Sequence, residues 1–247
     1  MLALRSFALN SAFVVWTTLM AVVLALLLGP TPVAWTIRAQ EWWSAGGIWI
    51  FRVIGGIRME VRGRENILPT PAIYASKHQS VWDTVVFHDI LDKPAIVLKK
   101  ELLRFPLYAA HCRKAKMIPI DRSARASALR TLLKAARAVI DEGRPIQIFP
   151  EGTRLAPGTS GPLFPGTYAL YKQLKIPVVP VALNSGVYWP RDSWRRFPGT
   201  IVIEFLPPLP AGLTRAEFTG RLKNDLNEAA ERLLAEARQQ PPAPVDN

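Results

Sequence analysis

The sequence predicts an α/β fold: a mixed, largely parallel sheet with helices on both faces, preceded by N-terminal membrane-associated helices. Three observations carry that expectation. Beyond residue 57, seven short aliphatic and β-branched runs alternate with stretches of helical periodicity, the pattern of a sheet covered on both sides. Ahead of them, Ser6–Leu28 holds no charged residue. Finally, 49% of the 247 residues are hydrophobic, enough to bury a core and to exclude a disordered chain.

The apolar front end comes first. As a helix, Ser6–Leu28 would measure about 34 Å and could cross a bilayer. A cleaved signal peptide fits less well, because only Arg5 precedes the run and no small-residue cleavage site stands before Pro30. After Pro30 and Pro32, Ala34–Ile57 interleaves Trp35, Trp42, Trp43 and Trp49 with Arg38, Glu41 and Arg52. Indole and guanidinium groups among aliphatics suit the lipid–water boundary. Residues 1–57 therefore read as a spanning helix plus a surface helix, or as a re-entrant hairpin. The globular domain is expected over 58–238, and the proline-rich stretch 239–247 is a disordered tail.

Within the domain, strands are predicted at Met59–Arg62, Ala72–Ala75, Ala95–Leu98, Met117–Ile120, Ile146–Phe149, Val178–Leu183 and Ile201–Phe205. Ser123–Glu142 carries a helical stripe of Leu129, Leu132, Ala136, Val139 and Ile140, with Ser123 able to cap its start and Gly143 its end. Leu163–Leu174 reads as a shorter helix. The capping box Thr214-Arg-Ala-Glu217 opens a final amphipathic helix.

A formal charge of +12 asks for an anionic partner. The surplus is local: residues 93–144 hold 13 Lys or Arg against four Asp or Glu, whereas 214–238 balance five against five. An anionic membrane surface and a phosphate-bearing substrate both fit. No helix-turn-helix, zinc or aromatic-basic motif supports nucleic acid. Basic residues after a membrane segment also mark the side that stays in the cytoplasm. The lone Cys112 excludes an internal disulfide, and with only three histidines no metal is expected. Arg113, Lys114 and His111 could activate the Cys112 thiol, but an inert thiol is the preferred reading.

Three motifs could carry chemistry. The strand Ala72–Ala75 runs into Ser76-Lys-His78-Gln-Ser80-Val-Trp-Asp83. On one continuous helix His78 and Asp83 would lie about 140° apart. They can meet only if His78 stays in the loop while Asp83 enters the first turn of the next helix, with Ser80 as N-cap. The carboxylate could then hold one imidazole nitrogen and leave the other as a general base. Taken alone, Ser80-x-x-Asp83 reads more readily as a mere capping arrangement, with His78 only a loop histidine. The second motif is Phe149-Pro-Glu151-Gly152-Thr153-Arg154, where a glycine turn presents an arginine suited to phosphate. The third joins Lys100 to Asp121-Arg122 at the end of a strand. His88 and His111 have weaker claims.

In this order and spacing, His78-x4-Asp83, Ile120-Asp-Arg122, Phe149-Pro-Glu-Gly-Thr-Arg154 and the proline-containing strand Val179–Leu183 resemble the glycerolipid acyltransferase family, above all its bacterial 1-acyl-sn-glycerol-3-phosphate (lysophosphatidate) acyltransferases. Four motifs in order outweigh the capping reading of His78. The resemblance implies transfer of an acyl chain from acyl-CoA or acyl-carrier protein to lysophosphatidic acid, in phospholipid biosynthesis, without a cofactor. It makes His78 the base and Asp83 its orienting carboxylate. It assigns Glu151, Gly152, Thr153 and Arg154 to the glycerol phosphate, with Arg122 and Lys100 adding positive charge. The implied location is the bacterial inner membrane, with the catalytic domain on the cytoplasmic side. Another lyso-lipid acceptor, such as a lyso-ornithine lipid, and a catalytically silent membrane scaffold are the alternatives. Two family glycines are replaced, one within Pro106-Leu-Tyr-Ala109 and one by Lys116.

Overall fold

The computed structural model describes residues 1–26, 29, 31–121 and 125–239. A seven-stranded sheet forms the centre: β1 (Ile57–Arg62), β2 (Ile73–Ser76), β3 (Ala95–Lys99), β4 (Ile118–Ile120), β5 (Ile146–Ile148), β6 (Val178–Leu183) and β7 (Gly199–Phe205). Their order across the sheet is β1-β7-β6-β2-β5-β3-β4. Every neighbouring pair is parallel except β6–β7. All seven predicted strands are present, within two residues of the expected bounds.

Alternation along the strands divides the core into two layers. On β2, Tyr74 joins Trp82, Phe87, Phe205 and Phe51 on one face. Its neighbours Ile73 and Ala75 join Ile146, Ile148, Leu170 and Leu222 on the other, the period-2 rule of a strand buried on both sides. The first face is covered by α1 (Leu2–Leu26), α2 (Val33–Val53) and α3 (Trp82–Ile90). The second is covered by α5 (Arg125–Asp141), α6 (Pro165–Leu174) and α8 (Arg215–Gln239). Two further helices, α4 (Pro106–Lys114) and the short α7 (Ser185–Tyr188), lie beside the sheet's loops.

Local signals explain most boundaries. Thr214 and Glu217 form the expected box at the start of α8: the Thr214 amide and hydroxyl both donate to Glu217 Oε2, at 2.8 and 2.7 Å. Helix α6 starts at Pro165 rather than Leu163, because proline is pre-organised for the first helical position. Ser123, the expected cap of α5, lies outside the described residues, as does the tail beyond Gln239. A 3-10 segment over Lys100–Arg104 and then α4 occupy a stretch without predicted elements. Its charges and aromatics carry no clear periodicity, so neighbours rather than pattern make it helical.

The N-terminal helices pack against each other antiparallel. Phe13 meets Phe51 with ring centroids 4.9 Å apart, while the Trp16 indole donates to Trp43 O at 2.9 Å. Gly46 permits this approach, since a Cβ there would sit 2.3 Å from the Trp16 ring. Helix α1 is long and apolar enough to cross a membrane, and little of it is buried. Phe7, Val14, Val15, Leu19 and Leu26 are exposed along it. Trp35, Trp42 and Trp49, spaced seven apart, line the exposed side of α2. Both ends of α1 are nevertheless tied to the domain. Asn10 donates to Trp194 O at 2.8 Å, the Arg196 amide donates to Ser6 Oγ at 2.9 Å, and Lys114 reaches Gly29 O at 2.9 Å just past the helix.

Phe51 is the main fastening of the pair. It is 1% exposed and also meets Trp189 edge-on at 4.9 Å. Phe51→Ala is expected to cost about 3–5 kcal/mol, read as a lowered urea midpoint of the detergent-solubilised protein.

Candidate active site

Strands β2, β5, β3 and β4 are adjacent and parallel, so their carboxyl ends open on one edge of the sheet, where α/β folds place ligands. Ala75 of β2 pairs in register with Ile148 of β5. The loops that follow therefore emerge side by side. The His78 ring stacks on Phe149 with centroids 3.9 Å apart and planes at 18°. The Leu155 amide donates to His78 O at 2.8 Å, pinning the two loops together.

Asp83 organises the first loop. Its Oδ2 accepts from His78 Nδ1 at 3.0 Å and from the amides of Gln79 and Ser80 at 2.7 and 2.9 Å. Its Oδ1 accepts from Ser80 Oγ at 2.9 Å. That hydroxyl has one proton, so across the 3.0 Å to Ser185 Oγ it accepts. His78 stands in the loop and Asp83 in the first turn, as the spacing requires. Ser80 is not the N-cap, however. Val81 holds that position with helical dihedrals and no side-chain cap. The capping works in reverse, with the Asp83 carboxylate reaching back to the Ser80 amide. Asp83 is wholly buried, and these donors compensate its charge. A carboxylate cannot donate, hence Nδ1 carries the proton and Nε2 is left as a base.

Glu151 does not line the cavity beside His78. Its carboxylate is 2% exposed and pairs at 2.7 Å with Lys77, itself 3% exposed. Lys77 Nζ also donates to Thr159 O at 3.2 Å. This buried pair joins the residue before His78 to the loop after β5. The partner of Glu151 was missed because nothing local links residues 74 positions apart. Gly152 adopts φ +67°, a left-handed turn closed by its amide on Phe149 O at 3.0 Å. Gly152, Thr153 and Arg154 all line the cavity. Among the described residues, the Arg154 guanidinium has no acidic partner. Arg191, which no sequence motif marks, joins them there and donates to Arg154 O at 2.5 Å. Lys100 pairs with Asp121 at 3.2 Å on the exposed rim, where Lys99 rather than Lys100 faces the cavity. Arg122 lies outside the described residues.

The cavity has a volume of about 640 Å³. From the His78 edge it runs beneath α1 and α2, past Met20, Leu24, Trp43, Leu98 and Met117. His88 and His111 stand in its wall. Burial holds both imidazoles neutral, lowering His88 to about 3 and His111 to about 4. Burial likewise pushes the Cys112 thiol up to about 11, which leaves it protonated and inert. It sits on helix α4.

A histidine held by a buried carboxylate thus stands between a largely apolar cavity and an arginine-bearing glycine turn. The sequence model of the Acyltransferase family matches residues 58–184, and the chain belongs to that family. It is 37% identical over 229 residues to the 1-acyl-sn-glycerol-3-phosphate acyltransferase of Pseudomonas aeruginosa, covering 92% of this chain and 86% of that protein. The alpha form of the same enzyme from Mus musculus is 33% identical over 164 residues, 64% of this chain and 58% of the mouse protein. The crystal structure of the 1-acyl-sn-glycerophosphate acyltransferase from Thermotoga maritima shares the fold, with a TM-score of 0.77 at 20% identity over 95% of this chain and 98% of that one.

Two stability predictions follow from the buried charges. Lys77→Met strands the Glu151 carboxylate and should cost about 3–5 kcal/mol, while adding Glu151→Leu should recover most of it; urea unfolding of the single and double variants measures both. For His88 and His111 the folded values lie below the unfolded value of 6.5. The unfolded chain thus binds more protons at intermediate pH, and stability should fall as pH drops from about 6.5 towards 4. His88→Leu should flatten that slope in pH-dependent melting.

Proposed function

We propose that this enzyme transfers a fatty acyl chain from acyl-CoA or acyl-carrier protein to the sn-2 hydroxyl of lysophosphatidic acid, giving phosphatidic acid. The observation that carries the reading is the His78–Asp83 pair, 3.0 Å apart at the wall of an apolar cavity. His78 Nε2 takes the hydroxyl proton as the oxygen attacks the thioester carbonyl. Asp83 holds the tautomer and stabilises the imidazolium that forms. The tetrahedral intermediate collapses by breaking the C–S bond, and the thiolate recovers the proton from His78. No cofactor enters these steps.

The acceptor's phosphate is assigned to Gly152, Thr153 and Arg154, with Arg191, Lys100 and Arg122 supplying further positive charge. Glu151 supports this loop through Lys77 instead of touching the anion, since a carboxylate would repel it. Membrane docking fits the same picture. The exposed apolar side of α1 and the Trp35–Trp42–Trp49 stripe enter one leaflet, while the contacts at both ends of α1 keep it alongside the domain. The basic stretch 93–144 then meets anionic headgroups on the cytoplasmic side of a bacterial inner membrane.

His78→Ala should abolish transfer to lysophosphatidate while leaving membrane binding and melting unchanged. Asp83→Asn should lower kcat by about 10³–10⁴-fold. Both are measured with radiolabelled acyl donor and purified protein. Retained turnover in His78→Ala would sink the assignment. Equal use of acceptors lacking a phosphate monoester would redirect it to another lyso-lipid.

A further inference from the structure

The part of the cavity wall that holds His88 and His111 does no work in the reaction above. Val81, Thr84 and His88 line it from one face of α3, which places His88 roughly 10 Å deeper than the end of the helix that carries Asp83. There His88 stands in the same wall as His111 and Gln40. Each of the three is more than nine-tenths buried. Gln40 Nε2 lies 2.8 Å from His111 Nε2 and donates to it, so the ring proton of His111 resides on Nδ1. Among the described residues that Nδ1 has no hydrogen-bond partner, and neither nitrogen of His88 has one. Met20, Trp43, Ile96 and Met117 supply the apolar part of the wall, with the hydroxyls of Thr17, Thr84 and Tyr108 also in the lining.

Two neutral imidazoles in such a place present one bare donor, His111 Nδ1–H, and on His88 one donor and one acceptor. A methylene chain laid across them leaves every one of these groups unpaired, and any water that pairs them must first be expelled. A hydroxyl fits both sides: its oxygen accepts from His111 while its proton goes to His88.

We propose that His88, His111 and Gln40 form a polar subsite that selects acyl donors bearing a hydroxyl part-way along the chain. The proposal rests on the acyl-transfer reading of the cavity. It makes the three residues determinants of specificity, distant from the bond being made.

The test uses the full-length protein in detergent with lysophosphatidic acid. It compares acyl-CoA thioesters of one chain length, either plain or with the hydroxyl walked along the middle of the chain. At one position the hydroxylated donor should exceed the plain one about tenfold in kcat/KM, an effect of one well-made hydrogen bond. His111→Leu should erase that preference by improving the plain donor and impairing the hydroxylated one. Gln40→Leu keeps both imidazoles and frees the His111 tautomer, so it should weaken the preference without abolishing transfer; it serves if His111→Leu fails to fold. Plain donors preferred at every hydroxyl position, or a preference untouched by either variant, would overturn the subsite. Failure of both donor types in the wild-type protein would instead overturn the acyl-transfer reading.

Discussion

One buried carboxylate sets the geometry on which the rest of the site depends. Asp83 is fully enclosed, and its two oxygens collect an imidazole N–H, two backbone amides and a hydroxyl. An isolated carboxylate in that position would be costly, so the donors must converge for the fold to tolerate it. Their convergence determines the path of residues 78–80, starts α3 and turns the His78 ring. Through Ser80 the same anion reaches Ser185, which follows β6. Imidazole orientation and helix initiation are thus one arrangement, since the carboxylate that holds His78 Nδ1 also accepts from the Ser80 amide.

Around that centre the protein separates its charges by burial. The Lys77–Glu151 pair is sealed between the two reactive loops, where losing either partner would leave an uncompensated ion. Arg154 remains half-exposed at the cavity edge, beside an exposed Arg191 that pairs with Asp192 at 3.0 Å. Behind them the wall becomes apolar under α1 and α2, then polar again at Gln40, His88 and His111. The helices with exposed apolar faces are therefore also the roof of the cavity.

The strands were legible because a sheet buried on both faces needs short, nearly continuous aliphatic runs, and Val178–Leu183 or Ile146–Ile148 can hardly be anything else. Helix α8 was legible from Thr214 and Glu217, whose interaction is local. Helix α4 was not: Pro106–Lys114 has a mixed pattern, and its burial depends on α1 and α2 covering it. Arg191 carried no signal either, because it reaches the site from a loop that no motif marks. The contact of Lys77 with Glu151 depends on β2 and β5 being neighbours. His88 and His111 looked incidental for the same reason, since only the closed cavity brings them into one wall.

Periodicity and contacts within a few residues suffice for the strands, for α8, for the apolar front end and for the pairing of His78 with Asp83. Tertiary structure decided the strand order. By inserting β5 beside β2, and β3 and β4 beyond it, the parallel sheet brings the loops after residues 76, 99, 120 and 148 to one edge. It also decided which polar side chains face inward, turning Glu151 onto Lys77 and His88 into the cavity. Those outcomes rest on long-range packing and on the cost of burying unpaired polar groups, neither of which has a sequence period.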